Sequence, residues 1–235
     1  MIGVRRDRSQ TKRQIPVTYL MPLPSNRATD RAPSPRLPDL ASKLPDVGTT
    51  IFTVISRRAE ELGAVNLGQG FPDYPVDPAL LGCIEEAMRE GWNQYAPMAG
   101  VPALREWIAR EQSARYGCRI DPEREVTIAL GATEAIFSAI LALVGPGEEA
   151  IVFDPAYDSY DPAVRLAGGR CVHLPLAPPH FSFDWDRVRA AITPRTRLIV
   201  INSPMNPACT VMSAEDIKAL AALVDGTEIR VISDE

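Results

Sequence analysis

Two asparagines and an aspartate close two short apolar runs near the C-terminus of this 235-residue chain. Asn202 and Asn206 follow Leu198–Ile201, and Asp234 follows Ile229–Ile232. Branched apolar runs of this length predict buried parallel strands, and open α/β sheets collect ligands at the carboxyl ends of such strands. An amide and a carboxylate placed there can hold a flat ring with one basic nitrogen and one phenolic oxygen. Asp234 alone has a second reading, as a capping residue. An unpaired buried carboxylate is too costly to be a third.

Two further stretches sit at strand ends. Gly131-Ala132-Thr133 lies between the apolar run 125–130 and a helix-like run, where free N–H groups and a hydroxyl can cradle a phosphate. Equally, Thr133 can simply cap that helix. Neither GxGxxG nor GxxxxGK[ST] occurs, which excludes a dinucleotide fingerprint and a P-loop. Tyr157, in FDPAYDSY, can stack on a flat ligand or pack as a half-buried tyrosine. Gly70, in GQGFPDYP, lets backbone amides approach a ligand or serves a plain turn. Tyr95, in NQYAPMAG, reads by itself as a packing lid between two helices.

Alternating elements must position these groups. Strands are predicted at 125–130, 150–154, around GRCVHLP, at 197–202 and at 228–233. The helices between them follow Gly131, span Pro162–Ala167 and Asp184–Ile192, and start at Ser213, where Asp216 completes a capping-box pattern. This rhythm predicts an α/β fold, a mostly parallel sheet with helices on both faces. Three helices precede it. Ile51, Val54, Ile55, Ala59 and Leu62 form one face of the first, and Leu80, Leu81, Ile84, Ala87 and Met88 one face of the second. Leu104, Trp107 and Ile108 of the third are expected to face inward.

Composition narrows the function. Apolar content of 46% and a net charge of −5 describe a globular chain with no polyanion-binding character, so neither nucleic acid nor membrane is an expected partner. Cys83, Cys118, Cys171 and Cys209 form no CxxC, and the two histidines form no HExxH, so no metal is expected. Unpaired thiols fit the cytoplasm. Residues 1–40 carry eight Lys or Arg, three Asp and six prolines, the composition of a disordered arm or of a mis-assigned start before Met21. The Arg-rich, acid-poor balance also suits a targeting peptide, though the stretch has no apolar run and its prolines break an amphipathic helix.

Phosphate donors, a stacking aromatic, an amide and a carboxylate at strand ends together match the needs of pyridoxal 5′-phosphate. The chain also resembles the fold-type I, class I/II aminotransferases, most of all the bacterial methionine and kynurenine aminotransferase group. Seven segments in order carry the resemblance: LPDVGTTIF, NLGQGFPDY, NQYAPMAGVPALRE, GATEAIF, FDPAYDSY, INSPMNP and VISDE. It implies that Gly131, Ala132 and Thr133 hold the phosphate, Tyr157 stacks on the ring, and Asn206 binds the phenolic oxygen, with Asn202 the asparagine that opens the same cofactor-binding loop. Asp234 pairs with the ring nitrogen, and Gly70 with Asn206 meets the substrate. Tyr95 reaches the neighbouring subunit's cofactor in a homodimer. Substrates are an amino acid and a 2-oxo acid, with a C–S β-lyase or a non-catalytic cofactor-binding module as alternatives.

The resemblance also assigns an N-terminal arm with part of a small domain to 41–77, and the first part of a cofactor-binding large domain to 78–235. It places the Schiff-base lysine after the SDE segment. Lys12, Lys43 and Lys218, the three lysines present, match no catalytic position, so a truncated chain without that lysine is expected. One motif departs: the family's NPTG reads Asn206-Pro207-Ala208-Cys209, which is expected to change the backbone geometry of that turn.

Overall fold

The computed structural model describes residues 41–70, 72 and 74–235, and the readings of 1–40 and of Lys12 lie outside the described residues. Four parallel strands form one sheet in the order β2-β1-β3-β4: β1 (Glu149–Asp154), β2 (Arg170–Pro175), β3 (Thr196–Asn202) and β4 (Arg230–Asp234). The central strands are buried on both faces. Ile151 and Phe153 of β1 and Ile199 and Ile201 of β3 pack with Val188 and Leu220. These two belong to helices α6 (Trp185–Ala191) and α7 (Ala214–Val224). On the other face, Ala150, Val152, Leu198 and Val200 pack with Ile136, Ile140, Ala163 and Val164. Those come from α4 (Ala132–Leu143) and α5 (Tyr160–Leu166). Two-sided burial is why β1 and β3 read as unbroken apolar runs rather than as alternation.

Local signals set the element ends. The Ser213 hydroxyl accepts from the Asp216 N–H, and the Asp216 carboxylate accepts from the Ser213 N–H, closing the capping box of α7. Asp77 caps α2 (Pro78–Arg89), whose first residue is the proline that a first helical turn tolerates. Gly117 ends α3 (Pro102–Tyr116) at φ +65°, a left-handed conformation that favours glycine. At the opposite edge of the sheet from the strand ends, Glu149 is buried. Its carboxylate accepts from Arg170 at 2.8 Å, Thr193 at 2.7 Å and Arg195 at 2.7 Å.

Two expectations are corrected. Val126–Leu130 forms no strand: its backbone is irregular, and the Ile128 N–H instead donates to the Ala99 carbonyl at 3.0 Å. Among the described residues no strand runs beside it, and apolar propensity without a partner builds no ladder. The apolar faces of α1 (Ile51–Glu61) and α2 are not buried either, since neither helix has a buried residue. On α3, Leu104 and Trp107 are exposed and Ile108 is half-buried, while Arg105 and Ala109 face inward. The Arg105 guanidinium donates to the Pro122 carbonyl at 2.8 Å and to Glu123 at 3.0 Å, which turns that face toward the 120–126 segment. No described helix is long and apolar enough to cross a membrane.

Candidate active site

The chain leaves β1 toward β2 on one side and returns to β3 on the other. A topological switch point therefore lies between the carboxyl ends of β1 and β3, where open sheets part their loops and admit a ligand. Tyr157 follows β1, Asn202 ends β3, and Asp234 ends β4 in direct register with Asn202. A cavity of about 260 Å³ at this edge is lined by Ala132, Thr133, Ile136, Tyr157, Asn202, Asn206, Asp234 and Glu235. Six of the residues singled out in the sequence thus share one wall.

Hydrogen bonds fix their arrangement. The Asn202 side-chain amide donates to the Asp234 carbonyl at 2.9 Å, and its oxygen accepts from the Asn206 N–H at 2.6 Å. One side chain thereby ties the end of β4 to the loop after β3. The Ser203 N–H also donates to the Asp234 carbonyl, at 3.1 Å. The Asp234 carboxylate accepts from the hydroxyl of Tyr160, a residue the sequence reading passed over. Tyr160 is buried in the first turn of α5, three residues beyond Tyr157, and the two rings lie 5.9 Å apart, tilted by 59°. Burial first, then the Asp234 hydrogen bond and charge, raise the Tyr160 pKa above its ordinary value. The hydroxyl therefore keeps its proton and remains a donor to Asp234.

Gly131 does not line the cavity but sets up its floor. At φ +87° it occupies a left-handed region, and α4 starts immediately after it. The Glu134 carboxylate accepts from the Leu130 N–H, which leaves the first-turn amides of Ala132 and Thr133 outside that bond.

Gly70 lines a second cavity of about 570 Å³, with Phe52, Leu67, Met205 and Cys209 among its other walls. Tyr157 and Asn206 belong to both cavities, so the two spaces adjoin through them. Tyr95 is brought to neither. It is fully exposed on the loop between α2 and α3. Lys43 and Lys218 line neither cavity.

In the Asn206–Cys209 turn, Cys209 takes φ +56°, a left-handed conformation that favours glycine. Its N–H donates to the Met205 carbonyl at 2.7 Å, and the Met205 N–H donates to the Thr210 carbonyl at 2.8 Å. These two bonds brace the turn.

Comparison with known proteins agrees with this geometry. Residues 63–235 match the aminotransferase class I and II family. The chain is 48% identical over 194 residues to the methionine aminotransferase of Escherichia coli, covering 83% of this chain and 50% of that protein. It is 45% identical to a probable N-succinyldiaminopimelate aminotransferase of Mycobacterium tuberculosis, covering 83% and 49%. The Escherichia coli crystal structure superposes with a TM-score of 0.80 over 86% of this chain and 52% of that one. For a Thermus thermophilus aspartate aminotransferase with maleate, 34% identical, the TM-score is 0.77, with coverage of 85% and 53%. The chain spans about half the length of the curated relatives it matches. On sequence and fold alike, it belongs to the class I and II aminotransferases, enzymes that work with pyridoxal 5′-phosphate.

Proposed function

We propose that the protein to which this chain belongs exchanges an amino group between an amino acid and a 2-oxo acid, with pyridoxal 5′-phosphate as cofactor. The observation that carries this reading is the single cavity in which Thr133, Tyr157, Asn202, Asn206 and Asp234 meet at the strand ends. Its donor set fits the cofactor. The α4 N-terminus and the Thr133 hydroxyl suit a phosphate, Tyr157 a ring face, Asn206 a phenolic oxygen and Asp234 a pyridine nitrogen. When bound there, the cofactor supplies an electron sink for the substrate α-carbon.

The residues of this chain bind and orient. The Asp234 carboxylate would hold the proton of the ring nitrogen, and Tyr160 fixes that carboxylate by donating to it. Asn202 keeps Asp234 and Asn206 at a constant separation, since it is bonded to both. Gly70 offers a backbone amide to the substrate carboxylate in the adjoining cavity. Phe52, Leu67 and Met205 of that cavity suit an apolar side chain, which favours methionine or an aromatic amino acid, with a glutamine-like one as a longer fit. We assign Tyr95 and its exposed neighbour Met98 to a homodimer contact, and the enzyme to the cytoplasm.

The test uses the full-length protein loaded with cofactor. Incubated with L-methionine and a 2-oxo acid, it is expected to yield the corresponding pair of aminated and oxo products, resolved by mass spectrometry. Release of pyruvate and ammonia from a C–S amino acid, with no amino exchange, would identify a β-lyase instead.

A further inference from the structure

Away from the strand-end cavity, α5 and the edge strand β2 bring together three side chains from different classes of ligand. Asp161 sits in the first turn of α5, and Cys171 and His173 lie two residues apart on β2, so the latter two share a face. One ligand atom from each lies within 4.8 Å of the others. The sequence offered no metal motif because the set is assembled by a strand pairing with a helix, not by local spacing.

We propose that Asp161, Cys171 and His173 bind a divalent cation of zinc-like preference. A tetrahedral zinc with sulfur at about 2.3 Å and nitrogen or oxygen at about 2.0–2.1 Å sets its ligand atoms roughly 3.3–3.6 Å apart. The His173 Nε2 and Asp161 Oδ1 are already 3.5 Å apart. The Cys171 sulfur lies within 4.8 Å of a ligand atom of each and has to close in on them. The ligand types agree as well: one thiolate, one imidazole and one carboxylate oxygen form a mixed set that zinc accepts. On binding, the Cys171 thiol gives up its proton to solvent, and the resulting thiolate and the Asp161 carboxylate balance the dication. His173 is 42% exposed at its side chain, which leaves the fourth position open to water.

The surrounding groups orient the ligands. The His173 Nδ1 and Asp154 Oδ1 are 3.1 Å apart, so Asp154 can take the Nδ1 proton and turn Nε2 toward Asp161. A carboxylate behind a ligating histidine is the common second partner of protein metal sites. Arg165 holds the other Asp161 oxygen at 3.3 Å and is itself paired with Asp46. Oδ1 of Asp161 is thereby left facing His173. A bound cation would clamp α5, which carries Tyr160, onto the edge of the sheet. This inference does not depend on the aminotransferase reading.

Cobalt(II) is the probe, titrated into the metal-free full-length protein and read from the intense visible bands of its tetrahedral complexes. One equivalent is expected to bind and to be displaced by zinc. Cys171→Ser and His173→Ala each abolish the tetrahedral bands, and Asp154→Asn weakens binding about 10-fold. Cys83→Ser, Cys118→Ser and Cys209→Ser leave the titration unchanged, because those thiols lie outside the cluster. If circular dichroism shows that Cys171→Ser does not fold, Asp161→Asn and His173→Gln give the same reading with the thiol retained. The proposal is overturned by the absence of tetrahedral bands, by bands that persist in Cys171→Ser, or by unchanged affinity in both Asp161→Asn and His173→Gln.

Discussion

The Tyr160 hydroxyl donates to the carboxylate of Asp234, joining the first turn of α5 to the end of β4 across 74 residues of sequence. Tyr160→Phe removes this donor and keeps the ring. We expect kcat/KM for amino transfer to fall about 10-fold, the loss of one charge-assisted hydrogen bond worth about 1–2 kcal/mol. A packing role alone would leave the pH profile of kcat/KM in place. A positioning role shifts it, and an unshifted profile with full activity would remove Tyr160 from the site.

Asp234→Asn is the sharper substitution. It preserves shape and removes the charge that the proposed function sets against the ring nitrogen. A loss of roughly 100-fold or more in kcat is expected in the full-length enzyme, the scale of a deleted electrostatic partner at a reacting centre. Turnover close to the unsubstituted enzyme would mean that another carboxylate serves the ring.

Cys209 adopts φ +56°, a region that favours glycine. A β-carbon in that region costs on the order of 1 kcal/mol. Cys209→Gly should therefore raise the unfolding free energy by up to that amount, read as a higher denaturant midpoint with an unchanged m-value. The larger chain entropy of glycine in the unfolded state offsets part of the gain. Cys209→Val, β-branched and less tolerant of positive φ, should lower the midpoint.

Glu149 predicts an acid-sensitive fold. Hydrogen bonds from Arg170, Thr193 and Arg195, in that order, pull its pKa from 4.5 to about 2 against the opposing effect of burial. A depressed carboxylate pKa stabilises the fold above the unfolded value and loses that contribution as pH falls toward the folded one. Stability measured by denaturant should therefore decline between pH 4.5 and 2, and Glu149→Gln should flatten that decline. Arg170 and Arg195 are themselves about two-thirds exposed and can turn to water. Glu149→Ala is thus expected to cost about 1–3 kcal/mol near neutral pH, the lower range for breaking a buried ion pair.

What could be read directly from residues was whatever depends on local order. Leu198–Ile201 and Ile229–Ile232 announce strands by unbroken apolar character, and Ser213 with Asp216 announces a helix start. Asn202, Asn206 and Asp234 were legible as cavity-lining groups because each follows an apolar run at the carboxyl edge of the sheet. Tyr160 was not, since its partner lies in a distant strand and nothing in YDSY separates it from a packing ring. Val126–Leu130 misled because strand propensity says nothing about whether a neighbour exists to pair with it. The apolar stripes of α1 and α2 are real in sequence and still exposed, since burial needs a second surface. Asp161, Cys171 and His173 were invisible for the same reason as Tyr160: topology, not spacing, brings them together.

The order of the site along the chain sets an order in time. Of the strand-end cavity residues, Ala132 and Thr133 leave the ribosome first, then Tyr157, then Asn202 and Asn206, and then Asp234. At about 5–20 residues per second, the 103 residues from Gly131 to Asp234 (234 minus 131) take roughly 5–20 s to synthesise. Through that interval the N-terminus of α4 has been made while the end of β4 has not. Because β4 pairs with β3 and with no other described strand, Asp234 takes its place beside Asn202 only when those two strands pair. The proposed seat of the ring nitrogen therefore forms later than the proposed seat of the phosphate.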